Sequence, residues 1–551
     1  MYIKNIKIWN FRKFGGEIDG KPGLNLNFHE KFNLLIGEND SGKSAIIDAI
    51  HLTIGTLSAE NNRITDEDFH INNDGKLSEE IKIECKFTYL TEKEAGVFLE
   101  WLTFDEDNEY ELIVRLSAKK IKNELIGERI ERSVKAGALD FQSRLEGDAA
   151  EILKSTYLKP LRDAKSELRP GYKSRLAQIL KNYSAFKVSN NESHTLEKIV
   201  NNTNQEIEEY FENSIGDKTI IGEISKYLDA FFNIPAEGDT YKPKFEVTPA
   251  KLNDILRKLS LELDDNVSGL GSSNLLFIAA ELLLLNDGEK IGPNITLIEE
   301  IEAHLHPQAQ LRLIKYLQRT MDEGGDINGQ FILSTHSTTL AASTALEHII
   351  LLHDNNAYPM GSMYTSLEKE DYEFLERFLD ATKSNLFFAR GVLLVEGDAE
   401  NLLLPALAEI IGRPLHNYGV SIVNIGNTAF KRYAKIFSRS QAWLDEGNPS
   451  LRLPVSVITD VDVRPIEYYI DKDMSLERFI LDEDELQEVA KLCIDIEVED
   501  LQEHIGEVFT SFNRFQSVLE MYGGRIREGE EDCVKCIIKK TLNKDTSLAN
   551  S

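Results

Sequence analysis

Gly37-Glu38-Asn39-Asp40-Ser41-Gly42-Lys43-Ser44 fits the pattern G-x-x-x-x-G-K-S. It follows an apolar run, Phe32 to Ile36, and opens a stretch, Ser44 to Leu52, with helical apolar spacing. A buried strand, a glycine turn and a helix in that order form a loop whose backbone N–H groups can wrap phosphates, aided by the dipole of the helix N-terminus. Gly37, Asn39, Asp40, Ser41 and Gly42 are its cradle, Lys43 reaches the β- and γ-phosphates of ATP, and Ser44 holds Mg²⁺. A second strand-like run, Ile295-Thr296-Leu297-Ile298, ends in Glu299-Glu300. In P-loop ATPases the first such acid supports the metal and the second acts on the attacking water. Glu299 stands where the shorter Asp is usual. A third run, Ile332-Leu333-Ser334-Thr335-His336-Ser337, ends in a histidine that can meet the γ-phosphate.

A separate acidic set lies further along. Val392 to Val395 is an apolar run ending in Glu396-Gly397-Asp398-Ala399-Glu400, and Pro454 to Thr459 is another ending in Asp460-Val461-Asp462. In open parallel α/β sheets, functional groups gather beyond the carboxyl ends of strands. Glu396, Glu400, Asp460 and Asp462 are therefore expected to hold hard, oxygen-seeking cations, Mg²⁺ or Mn²⁺. Paired ions about 3.5–4 Å apart suit phosphodiester cleavage. Two other sets are set aside. His304 and His306 lack partners at ligand spacing, and Pro307 suits the first turn of a helix. Cys533-Val534-Lys535-Cys536 is a single C-x-x-C without a second pair.

The elements that position these groups must come from 551 residues, room for roughly three or four domains. Tyr2 to Phe11, 80–90 and 110–117 read as further strands, and 195–265 as mainly helical. The polar stretch 355–390, ending in a short helix, reads as an inter-domain connection. Hydrophobic residues make up 42%, enough for sizeable cores. No apolar run reaches the ~18 residues of a membrane span, the first residues lack a signal peptide's pattern, and cysteines are few. The expectation is a soluble cytoplasmic protein with no membrane contact. With 62 basic and 93 acidic residues the net charge is −31, which disfavours loose coating of nucleic acid. The charge is uneven: residues 152–187 hold nine bases against Asp163 and Glu167, whereas 466–511 hold fifteen acids and three bases. The basic window, with Lys173, Arg175 and Lys181 as its test residues, is either a DNA track or a solvated face that balances the acidic segment.

The order of strand, P-loop, long insertion, acidic strand and Ser-Thr-His resembles the ABC-type ATPase head of SMC-like and repair ATPases. Ser268-Gly269-Leu270-Gly271-Ser272, before the helix expected from Asn274 to Leu285, sits where that family's signature belongs; an ordinary helix-opening turn reads equally well. E-G-D-x-E followed by D-V-D looks like a TOPRIM domain. The two together resemble the OLD (overcoming lysogenization defect) family of ATP-dependent nucleases, as does Tyr157-Leu158-Lys159-Pro160-Leu161-Arg162-Asp163-Ala164. The resemblance implies an α/β protein, an ABC-type P-loop ATPase with a helical dimerisation insertion followed by a Rossmann-like TOPRIM domain. Its expected divisions are 1–150, 151–265, 266–385 and 386–551. It implies ATP-regulated, metal-dependent cleavage or nicking of DNA, often in anti-phage defence, with Glu300, Glu396, Asp460 and Asp462 catalytic. It also implies a homo-oligomer, dimer or tetramer, with room for a system-specific partner protein or nucleic acid. The alternative is a non-nucleolytic ATPase that senses DNA or a partner, with TOPRIM as a binding module. Two departures stand out: Ile301 occupies a position where Pro is common, and the family's late lysine has four candidates, Lys535, Lys539, Lys540 and Lys544.

Overall fold

A computed structural model describes the chain except residues 19, 57–62, 106, 124–126, 160–166, 173, 187–192, 213–220, 222–223, 225–244, 264–269, 283–291, 323–328, 427–428, 460–482, 496–518, 521–522 and 535–551. Two compact units emerge: Met1–Gly391 with Lys431–Pro454, and Val392–Phe430 with Val455–Ser551. Among the described residues no helix is long and apolar enough to cross a membrane.

Two sheets build the first unit. The antiparallel one comprises β1 (Tyr2–Trp9), β2 (Leu24–Asn27), β4 (Glu80–Thr88), β5 (Leu102–Phe104), β6 (Tyr110–Asn123), β7 (Gly127–Ala136) and β8 (Ser143–Arg144). Strand β4, Glu-Ile-Lys-Ile-Glu-Cys-Lys-Phe-Thr, alternates: Ile81, Ile83, Cys85 and Phe87 are buried and the residues between them half-buried, as suits a sheet with one covered face. The second sheet has the order β13-β12-β3-β11-β10-β9, formed by β3 (Phe32–Gly37), β9 (Thr156–Leu158), β10 (Ile295–Ile298), β11 (Gln330–Ser334), β12 (Ile349–His353) and β13 (Asn356–Pro359). It is parallel except for β13. Every residue of β3, β10 and β11 is buried, the mark of parallel strands covered on both faces.

Helix Lys43–Ile54 lies between the sheets. Its Ile46, Ile47 and Ile50 share one core with Ile83, Cys85, Leu112 and Leu116 on one side, and with Leu35, Leu297 and Ile332 on the other. A helix covered on both sides needs no polar face, so ten of its twelve residues are buried. Because β11 separates β3 from β10, the carboxyl ends of all three open on one edge. The P-loop, Ser334-Thr335-His336 and Glu299-Glu300 are thereby gathered there.

The structure departs from the sequence reading in three places. Residues 355–390 do more than connect: Asp354 and Asn355 both take positive φ and close a hairpin that adds β13 to the sheet, after which helix Lys369–Phe378 forms. The helix expected from Asn274 begins earlier, at Leu270. Within the stretch expected as one TOPRIM domain, Lys431–Pro454 packs in the first unit. There Arg439 is buried and donates to Pro359 O and Ile436 O, while Ser440 Oγ donates to Met363 O.

The second unit holds a three-stranded sheet of order β15-β14-β16, from β14 (Gly391–Val395), β15 (Val420–Asn424) and β16 (Val455–Ile458). Strands β14 and β16 run parallel, pairing Val395 with Ile458, so Glu396 and Thr459 emerge side by side.

Candidate functional site

The P-loop geometry follows from its glycines. Gly37 has φ 141°, where a Cβ would strike Leu352 O, and Gly42 has φ 106°, with Phe14 in the way of any Cβ. Only glycine fits both positions. The turn between them folds Lys43 inward. Its ammonium donates to Gly37 O (2.9 Å), Glu38 O (2.7 Å) and Ser41 Oγ (3.3 Å). The side chain is buried, and burial lowers its pKa to about 8 against the pull of Glu302, Glu300 and Asp40. A polyphosphate laid in the loop would give this cation the counter-charge it now draws from neutral oxygens.

The two acids at the end of β10 sit differently. Glu299 is 8% exposed; its carboxylate accepts from Tyr157 Oη at 2.7 Å and lies near the Ser44 hydroxyl, which favours its charged form. Burial raises its pKa, with the nearby Asp48 adding to the effect. A serine hydroxyl and a carboxylate near one another beside a phosphate cradle form an all-oxygen donor set suited to a hard divalent cation. Glu300 is exposed and takes the left-handed conformation, φ 45°, with its N–H donating to Ser334 Oγ at 3.2 Å. Such a backbone costs free energy and places the carboxylate out over the edge. His336 is exposed next to it, and burial of its ring followed by the Lys43 charge lowers its pKa. Asn39, Asp40 and Ser41 form the turn itself, with Asp40 at φ 58°.

Other residues were not singled out by spacing. Glu302 accepts from Thr335 Oγ1 (2.7 Å) and His336 N (2.6 Å), tying the loop after β10 to the histidine turn. Asp48 takes Arg12 at 2.6 Å and faces Tyr157 Oη at 3.3 Å. No sequence pattern brings Arg12, Asp48 and Tyr157 together; only the sheet order does. Helix Leu270–Leu282 touches the same loop, where Asn274 donates to Ala303 O at 2.8 Å. Ser268 and Gly269 of the signature-like stretch lie outside the described residues.

In the second unit, Glu396 ends β14 half-buried, and Thr459 Oγ1 donates to its Oε2 at 2.7 Å. Glu400 returns its carboxylate to Gly397 N at 3.0 Å and so caps helix Asp398–Ile410. Asp398 accepts from Asn424 Nδ2 at 2.7 Å. Asp460 and Asp462 lie outside the described residues, and among those described no three acids, histidines or cysteines cluster as a metal site. The donors that are described, the Glu396 carboxylate with the Thr459 hydroxyl at the adjacent strand end, are oxygens that suit the same class of cation.

Residues 1–341 match the AAA ATPase domain family, and residues 387–462 match the TOPRIM domain of overcoming-lysogenization-defect-like proteins. The chain belongs to the AAA ATPase domain family and carries an OLD-like TOPRIM domain after it. Its relatives include Endonuclease GajA of Bacillus cereus (strain HuB5-5), 22% identical over 84% of this chain and 77% of that protein. Endonuclease GajA of Bacillus cereus (strain VD045) is 25% identical over 79% and 72%. The OLD nuclease of Thermus scotoductus (strain ATCC 700910 / SA-01) is 28% identical over 39% of this chain and 40% of its own length.

One site expectation for this ATPase–TOPRIM chain is corrected. Arg175 is no DNA contact: it is buried, and its guanidinium grips both carboxylate oxygens of Glu281, at 2.5 and 2.9 Å. The helix Arg175–Asn182 places position 175 on its packed face and Lys181 on its exposed one. Lys173 lies outside the described residues.

Proposed function

We propose that the protein is an ATP-regulated, divalent-metal-dependent DNA endonuclease or nickase that serves in anti-phage defence. The observation that carries this reading is the adjacency of Glu396 and Thr459 at two parallel strand ends, the second leading in sequence directly into Asp460 and Asp462, in a chain that also holds buried Lys43 and Glu299 with the exposed Ser44 beside them. The names of the GajA and OLD relatives support it.

On this reading Lys43 and the loop backbone bind and orient the ATP phosphates. Glu299 and Ser44 are the protein donors of the nucleotide's cation, Mg²⁺ or Mn²⁺. Glu300, exposed on a strained backbone, orients the attacking water, and His336 meets the γ-phosphate. In the second unit Glu396, Asp460 and Asp462 hold the cations of the cleavage site, with Glu400 supporting the turn through its cap. When bound, such cations neutralise the phosphate charge and lower the pKa of bound water. The ATPase site is completed by a second copy of the chain, so the working form is a homo-oligomer.

The test is a supercoiled-plasmid assay with Mg²⁺ or Mn²⁺, with and without ATP, alongside phage plating on cells expressing the protein. Metal-dependent nicking that disappears in Glu396→Ala is expected. ATP turnover without nicking under every metal would instead favour a non-nucleolytic ATPase whose TOPRIM domain binds DNA or a partner. A monomeric mass with full ATPase activity, independent of protein concentration, would remove the oligomer from the scheme.

A further inference from the structure

Glu299 poses a physical problem. An acid at the end of the β10 strand must present its carboxylate at a fixed distance from Ser44, and glutamate is longer than aspartate by one methylene and one rotatable bond. Left unrestrained, that extra torsion would spread the carboxylate over several positions. Strand β9 lies beside β10 in parallel register, with Leu297 opposite Tyr157 and Ile298 opposite Leu158. This pairing brings a buried phenol alongside the acid. Tyr157 is 6% exposed and its hydroxyl lies 2.7 Å from Glu299 Oε1.

A phenol has one proton to donate, and two carboxylates compete for it. Asp48 Oδ1 is the farther, at 3.3 Å, and Asp48 is already held by Arg12 through its other oxygen at 2.6 Å. Arg12 is itself fixed by Asp68 at 2.9 Å. The Tyr157 proton therefore goes to Glu299. The Glu299 carboxylate is then held from behind by Tyr157, with the Ser44 hydroxyl near it on the P-loop side.

We infer that Tyr157 is a positioning residue for the nucleotide's divalent cation: its hydroxyl pins the longer Glu299 arm so that a glutamate does the work of the shorter aspartate. Tyr157 touches neither nucleotide nor metal on this account and acts only through Glu299. The inference rests on reading the P-loop as an ATP–metal site.

The experiment uses the full chain and a fluorescent ATP analogue. Binding is measured in EDTA and across a Mg²⁺ titration for the wild type, Tyr157→Phe, Glu299→Asp and the double variant. Tyr157→Phe keeps the buried ring and removes only the hydroxyl. It should raise the Mg²⁺ midpoint about tenfold, as expected for losing one hydrogen bond to a charged group, and leave binding in EDTA unchanged. In the Glu299→Asp background, where the shorter arm does not reach the phenol, adding Tyr157→Phe should move the midpoint by less than roughly twofold. A Tyr157→Phe midpoint equal to wild type overturns the inference. So does equal weakening with and without Mg²⁺, which marks a merely structural hydroxyl, and so does an additive double-variant cycle. Should the wild type itself bind no analogue, the P-loop reading fails and takes this inference with it.

Discussion

The acids of the first unit and those of the second are held in opposite ways. At the ends of β10 and β11, Glu299 is buried with the Tyr157 hydroxyl on it and Glu302 accepts two donors from the neighbouring strand end. At the end of β14, Glu396 is half-buried and takes the Thr459 hydroxyl, and on the following helix Glu400 caps the N-terminus through Gly397 N. The surrounding strands differ in the same sense: β10 is buried throughout, whereas β16 is half-buried at both ends and exposed at Ser456 and Val457. The first site is preorganised by protein groups alone. In the second, among the described residues, Glu396 stands in a more open setting at its strand end. Preorganised donors cost no rearrangement when charge develops, while loosely held ones make metal binding itself the ordering step.

Substitutions can break this contrast. The largest effect belongs to Lys43→Ala, which removes the cation held over the loop carbonyls; ATP turnover should fall at least about 100-fold in a phosphate-release assay, as for other lost electrostatic groups. Circular dichroism should stay unchanged, since the glycines still shape the loop. Glu300→Gln should retain nucleotide in a filter-binding assay while hydrolysing it at a rate reduced to a similar degree. Next comes Glu396→Ala. Plasmid nicking should be lost and ATP turnover kept, and excess Mn²⁺ should restore less nicking to this variant than to a conservative Glu396→Asp. If nicking by Glu396→Ala matches wild type, the second site is not where cleavage occurs.

Two changes in the basic window sharpen the comparison between buried and exposed charge. Arg175→Ala strands Glu281 as an unpaired buried carboxylate, a loss of about 3–5 kcal/mol, and should appear as a lower first transition in a thermal melt. Lys181→Ala, on the exposed face of the same helix, should leave the melt alone. If Lys181 meets a DNA phosphate, the log–log salt slope of binding should become shallower by about 0.9; an unchanged slope places the DNA path elsewhere.

Much of the first site was legible because its signals are local. The P-loop needs glycines at Gly37 and Gly42 for backbone reasons, and β3, β10 and β11 announce themselves as unbroken apolar runs. The partners of those residues were not legible. Tyr157 reaches Glu299 across 142 positions of sequence, through strand pairing that no spacing encodes. Arg175 misled because a positive window says nothing about which helix face packs; Glu281, its counter-ion, lies on a distant helix. The hairpin at Asp354-Asn355 carried a recognisable turn signal, but its polar residues read as a linker. In the second unit the position of Glu396 at the end of a strand was readable, and the Thr459 hydroxyl that donates to it was not.

The excursion of Lys431–Pro454 into the first unit bears on how such proteins can be recombined. A module joined at one junction can be exchanged by a single crossover between genes. Here the chain passes from one unit to the other at three junctions, and the middle stretch supplies the first unit with buried Arg439, Tyr433 and Trp443. A chimaera that imports a relative's TOPRIM module from Val392 onward therefore also replaces part of the ATPase unit's own packing. Successful exchange requires either two separate insertions, 392–430 and 455 onward, or a donor whose intervening segment already matches Pro359, Met363 and Phe378 on the recipient.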